Sequence, residues 1–149
     1  MASPFDFVSG SVITAAQLNA IGKRADVSWS PSANWSGSFN YSQFSRVNDI
    51  VIIQAMYSLD ATPSGTFEIS DIPVTGNSSL SGISATGVAV DVSADDVYAV
   101  CPRAKSGSSG TKIDFTTSAH NDFATVIQGK PFTFASGDSF RFVMVYQAN

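Results

Sequence analysis

From Val27 onward, turn signals interrupt the chain about every ten residues, and between them apolar side chains fall on alternate positions. A period of two sends successive side chains to opposite faces of an extended strand, so each run can bury one face and leaves its backbone to be satisfied by neighbouring strands. Ile50 to Leu59 is the clearest run: Val51, Ile53, Ala55, Tyr57 and Leu59 share one face. Thr66 to Ile72, closed by Pro73, reads as another strand. Val88, Val90 and Val92 alternate with Gly87, Ala89 and Asp91, and Ile113 and Phe115 alternate with Lys112, Asp114 and Thr116.

The last run, Ser139 to Tyr146, differs from the others. Phe140, Phe142, Met144 and Tyr146 fall on one side, and Val143 and Val145 make the other side apolar too. A strand of that kind is central in its sheet or lies at a subunit contact, which makes Val143 and Val145 the candidate oligomer interface. Ser106 to Gly110 reads as a flexible hairpin tip and Gly137-Asp138 as a tight turn. These features predict a mainly β domain over residues 27–149, an antiparallel β-sandwich of jelly-roll-like form.

Composition agrees. The chain has 14 Val and 10 Ile against 3 Leu, and 11 of its 12 acidic residues are Asp, leaving Glu68 alone. Val, Ile, Phe and Thr suit a half-buried pleated surface, whereas Leu, Glu and Lys favour helix. A length of 149 residues fits one domain with a real core.

One helix is expected, near the start. Thr14-Ala15-Ala16-Gln17 is a capping box, in which the Thr hydroxyl accepts an amide hydrogen bond and Gln17 reaches back. Ile13 and Leu18 are placed as a hydrophobic staple, Gly22 suits a left-handed cap, and Lys23 and Arg24 sit beside the negative end of the helix dipole. Roughly two turns are marginal alone, so residues 1–26 are expected to form a short helical arm that docks on another surface. Phe5, Phe7, Val12, Ile13, Leu18 and Ile21 are its candidate anchoring residues.

Charge narrows the partners. Charged residues make up 13% of the chain, about half the usual share, and the net charge is −4 with eight scattered Lys and Arg. No basic stripe is present to neutralise phosphates, so nucleic acid is not an expected partner. No run is long and apolar enough to cross a bilayer, and Met1 to Gly10 lacks the basic and apolar regions of a secretory signal, so synthesis in a cytosol without export is expected. Cys101 is the single cysteine; lying among Val97, Tyr98 and Val100, it is expected to be buried in a strand and inert.

The residues that carry chemistry are sparse. His120 is the only histidine, so the usual nitrogen and sulfur zinc set cannot be assembled in one chain. A triad from a serine, His120 and Asp114 or Asp122 has no nucleophile elbow to support it, since Gly137-Asp138-Ser139 is followed by Phe140 and runs straight into a strand. Asp91, Asp95 and Asp96 match no cation-loop spacing, and a plain acidic turn is the simpler reading. No enzyme activity and no cofactor are expected. Trp29, Trp35 and Tyr41 are the candidate ligand-binding aromatics, weighed against core and interface packing, which such rings dominate.

Two ends of the sequence carry a family pattern. Phe7-Val8-Ser9-Gly10-Ser11-Val12-Ile13-Thr14-Ala15-Ala16-Gln17-Leu18-Asn19 resembles the N-terminal segment of bacteriophage fibre and minor virion proteins. Trp29-Ser30-Pro31, Tyr41-Ser42-Gln43-Phe44, Arg46-Val47-Asn48-Asp49-Ile50-Val51, Ile72-Pro73 and Pro131-Phe132-Thr133-Phe134-Ala135-Ser136-Gly137-Asp138 resemble the β-sandwich that closes many of them. Residues 76–130 share only the strand pattern, and no collagen-like, β-helical or coiled-coil shaft is present. The resemblance implies a homotrimeric virion protein, made in a bacterial cytoplasm, whose arm docks on a capsid or tail protein as a decoration or short knob. The alternative it leaves open is a tail-fibre module that binds a host surface glycan.

Overall fold

The computed structural model describes residues 27–47, 49–74, 84–105, 108–117 and 124–148. Their regular structure is entirely β: β1 (Val27–Ser28), β2 (Ser32–Ala33), β3 (Gly37–Val47), β4 (Ile50–Leu59), β5 (Glu68–Ser70), β6 (Ser84–Asp91), β7 (Asp96–Ala104), β8 (Ile113–Thr117), β9 (Ala124–Thr125) and β10 (Ser139–Gln147). The helix expected within residues 14–21 lies outside the described residues.

All pairings are antiparallel, as expected, but they form one continuous sheet in the order β1-β3-β4-β10-β6-β7-β8-β5-β2, with β9 on β8. The sheet curls almost into a barrel, because its two ends belong to adjacent stretches of chain. β1 and β2 stand at opposite ends of the pairing order yet are separated only by residues 29–31. Trp29 bridges the seam. Its amide donates to the Ser42 carbonyl of β3 at 3.3 Å, its carbonyl accepts from the Ser42 hydroxyl, and its indole donates to the Asp71 carbonyl just after β5 at 2.6 Å. A bulge between Phe39 and Tyr41 helps β3 bend.

Inside the curl the core is aromatic. Phe67 stacks on Phe140 at 4.4 Å and on Phe115 at 5.2 Å, Phe134 stacks on Phe140 at 5.1 Å, and Trp35 tilts against Phe67 at 4.9 Å. The expected inward face of β4 is fully buried from Val51 to Leu59, and so is that of β10 from Phe140 to Tyr146. β10 pairs with β4 on one side and β6 on the other, the central place expected of a strand apolar on both faces. In β6 the small residues point inward and the valines outward. A Cβ on Gly87 would come within 2.9 Å of the Phe142 Cβ and 2.8 Å of the Arg141 carbonyl oxygen, so the bulk of β10 leaves room only for Gly87 and Ala89.

The Gly137-Asp138 turn is a structural corner. Gly137 adopts φ 97°, and Asp138 is 2% exposed. Its carboxylate accepts from the Ala135 amide at 2.7 Å and from the Val92 amide at 3.0 Å, tying the start of β10 to the β6–β7 turn. The Leu59 amide donates to the Asp138 carbonyl at 2.8 Å, which fastens the end of β4 to the same corner. Asp138→Ala leaves two amides without their acceptor and is expected to cost about 2–4 kcal/mol, read from the urea midpoint.

Tyr57 and Tyr146 are each 1% exposed, and burial pushes both pKa values up to about 12. The Tyr57 hydroxyl donates to the Trp35 carbonyl, and that of Tyr146 to the Val74 carbonyl at 2.8 Å. The folded chain therefore keeps protons that the unfolded chain releases above its ordinary tyrosine pKa of about 10. Stability should be flat to about pH 10 and then fall through pH 12, at up to about 2.7 kcal/mol per pH unit for the two groups. Urea midpoints unchanged between about pH 10 and 11.5 would contradict this.

Candidate functional site

The two walls of the curled sheet differ in chemistry. Opposite to the buried positions, the outward positions of β3, β4, β10 and β6 carry a single charge, Arg141. Val143 lies in a ladder row between Gln54 and Thr86, Val145 between Ile52 and Ser84, and Arg141 between Met56 and Val88. Val143 is 40% exposed, while Val145, Ile52, Met56 and Val88 are half-buried. Tyr41, exposed at the Met56 row, belongs to the same surface.

Across β7, β8 and β5 the outward surface carries Arg103, Asp114 and Glu68 beside the exposed Val97 and Cys101, and those three charges are paired within the chain. Arg103 grips Asp114 with two hydrogen bonds, at 2.7 and 3.1 Å, and reaches the Thr125 hydroxyl at 3.3 Å. The hydrogen bond to Asp114 pushes the Arg103 pKa further up. Glu68 pairs with Lys105 and stands 3.8 Å from the Lys112 ammonium. These pairs pin β5 to β8 and the β7–β8 connection; exposed pairs of this kind add only about 0–1 kcal/mol each, whereas the two-pronged Arg103–Asp114 pair is held more firmly.

The candidates from the sequence fall partly inside and partly outside the described residues. Val143 and Val145 sit at the centre of the sparsely charged β3-β4-β10-β6 wall, two positions apart on β10 and next to Arg141. Phe5, Phe7, Val12, Ile13, Leu18 and Ile21 lie outside the described residues, as does His120. Of the three aromatics proposed for ligand binding, Trp29 and Trp35 are buried, their indole nitrogens bonded to the carbonyls of Asp71 and Ser64 at 2.6 and 3.0 Å. Neither presents a ring to solvent, and only Tyr41 does. The structure does not bring the three together as a binding face.

The expectation of a buried Cys101 is overturned. Val100 takes the inward position of β7, so Cys101 turns outward and is exposed, opposite Thr116 on β8. Strand parity decides this: a one-residue offset from a buried neighbour moves a side chain to the other face. Asp91, weighed above as a cation ligand, caps its own turn, accepting from the Ser93 amide at 3.0 Å, the Ser93 hydroxyl at 2.7 Å and the Ala94 amide at 3.1 Å. The Ser93 hydroxyl is the main cause of its lowered pKa. Among the described residues no group of three His, Cys, Asp or Glu is placed to hold a metal ion. A depression of about 260 Å³ beside the end of β5 is lined by Ser70, Asp71, Ile72, Thr111 and Lys112; its Asp71 carbonyl is already taken by Trp29.

The outward residues of β4 that the sequence reading did not single out are Ile50, Ile52 and Met56. Their signal was present, because β4 is apolar on both faces just as β10 is. The chain matches no known family, no curated protein and no solved structure.

The outward Cys101 gives a direct check. At high dilution the native chain should react with an aromatic disulfide reagent within about tenfold of the rate of the urea-unfolded chain, since an accessible thiol is limited by its thiolate fraction. Protection of a hundredfold or more would return Cys101 to the interior.

Proposed function

We propose that this chain is a structural component of a bacteriophage particle that acts by assembly: copies associate through the sparsely charged β3-β4-β10-β6 wall as a homotrimer, and the N-terminal arm docks on a capsid or tail protein. The observation that carries the reading is the contrast between the walls. Charge is depleted at the core of protein interfaces, where aromatic and Met side chains are enriched, and the β3-β4-β10-β6 wall has one charge, Arg141, with Met56 and Tyr41 in the same row and Val143 in the next. The charges of the other wall are spent on internal pairs. The resemblance at both ends of the sequence supplies the virion context, and the rolled antiparallel sheet is compatible with the β-sandwich that the resemblance implies.

The glycan-binding alternative loses two of its three aromatic residues to the core, and Tyr41 lies within the wall. No observation favours that reading. In the assembly reading the protein supplies rigidity and geometry, and its site is a surface.

Light scattering on the purified full chain should give about three chains per particle, and Val143→Glu should reduce this to one without loss of cooperative thermal unfolding, because a charge buried without a partner is penalised only in the assembled state. A wild-type chain that stays monomeric at high concentration, or a Val143→Glu trimer, would count against the wall as interface. Density for this chain on the phage particle tests the virion context separately.

A further inference from the structure

Arg141 is the one charge on the outward positions of β3, β4, β10 and β6, exposed between Met56 and Val88 in its row. Among the described residues it makes no salt bridge. Its isolation limits how two copies can meet. Wall against wall, each copy would cover the other's arginine with a surface that carries no carboxylate, and a cation buried without a partner is heavily penalised. The anion has to come from another part of the second copy.

Most described carboxylates are already engaged: Asp49 with Arg46, Glu68 with Lys105, Asp114 with Arg103, and Asp91 and Asp138 with backbone amides. Asp71 accepts from the Ser70 hydroxyl, and Asp96 lies on the same side of β7 as Tyr98, whose ring stacks on Phe132. Asp60 and Asp95 remain. No exposed large apolar residue adjoins Asp60 in the chain. Asp95, exposed in the β6–β7 turn with φ 58°, stands between Val92 and Val97, which are 60% and 63% exposed. Val97 faces outward opposite Val90, and Ala99 and Cys101 continue that exposed, uncharged line along β7.

We propose that copies of this chain meet head to tail, the β6–β7 turn of one copy seated on the β4-β10 part of the next copy's wall, with Asp95 paired to Arg141. The inference rests on the assembly reading and names the surface that mates with the wall. Charge selects the mate: the turn supplies the one group that the wall lacks, with an apolar side chain on either side of it to meet Met56, Tyr41 and Val143. Size agrees. Four strands about 4.8 Å apart and five rows about 6.8 Å apart give the wall on the order of 600 Å², near the roughly 800 Å² per partner of a stable association. So does closure, because a contact between two different patches is the kind that builds a ring. The sheet curls, so β7 faces a different direction from β4, and one copy can offer each patch to a different neighbour.

The test is charge reversal on the full chain, with self-association followed by sedimentation velocity over a range of concentrations. Arg141→Glu and Asp95→Lys should each weaken association at least tenfold, and the two together should restore it to within about threefold of the original chain. Unchanged association in either single variant, or a double variant no stronger than the singles, would overturn the pairing. Asp95→Asn is a second readout that keeps the turn, since Asn tolerates the left-handed backbone; it should weaken association at least threefold, and no weakening would overturn the pairing. Lys130→Glu reverses an exposed cation away from both patches and should leave association as it was; a tenfold loss there would make net charge the cause and overturn the pairing as well. A wild-type chain that stays monomeric at every concentration sinks the assembly reading and this contact with it, whereas a wild-type chain that associates regardless of the reversals removes the contact alone.

Discussion

A single tryptophan joins the two ends of the sheet. A curled sheet with free ends would expose two rows of unsatisfied amides and carbonyls, and the cheapest way to avoid that is to make both ends from one short stretch of chain. Residues 27–33 do this, leaving one rim as β1 and reaching the other as β2. Trp29 sits at the crossing with its backbone on Ser42 and its indole on Asp71, so one residue holds β3 and the end of β5 at a fixed separation. Asn34 extends the second rim: its side-chain amide donates to the Thr66 carbonyl at 2.8 Å and accepts from the Glu68 amide at 2.8 Å, copying a strand pairing with a side chain.

Closure at that seam defines the space that the aromatic rings fill. Phe67, Phe115, Phe134 and Phe140 come from four separate stretches of chain and meet within 4.4–5.8 Å of one another where they touch. Rings of this size leave little volume for neighbours, which is why β6 presents Gly87 and Ala89 inward and sends Val88 and Val90 out. The apolar outer wall is thus partly a consequence of the core. Where the interior demands small residues, a strand that must still favour extended backbone places its β-branched side chains on the other face.

How much of this was legible depended on whether the signal was local. The bounds and inward face of β4, the central position of β10 and the Gly137-Asp138 turn follow from alternation and turn chemistry within ten residues. The orientation of β6 does not, because the reason its valines face outward lies in Phe142, on a strand fifty residues away. Cys101 was misjudged for a related reason: its apolar neighbours Val97 and Val100 lie on opposite faces, and only the ladder says which is inside. Trp29 and Trp35 carry no sequence mark that separates a seam or core residue from a sugar-stacking one; the distinction lies in the carbonyls of Asp71 and Ser64 that receive their indoles. The arm was described from its sequence alone, and the outer face of β4 was legible but unread.

The rolled sheet also bears on which surface suits contact between copies. Adding strands edge to edge needs an exposed rim, and among the described residues β3 meets β1 over only two rungs, so that edge differs from the fully paired strands β4 and β10. Between the two faces, the side chains set which one is cheaper to cover. One face is already committed to ion pairs among Arg103, Asp114, Glu68, Lys105 and Lys112, and covering it would remove those charges from water without new partners. The other face asks only that one cation, Arg141, find a partner or a rim position, while each large apolar side chain covered returns on the order of 1.5–3 kcal/mol before ordering costs. Those inequalities favour the β3-β4-β10-β6 wall for contact between copies, and they follow from the same strand parity that builds the core.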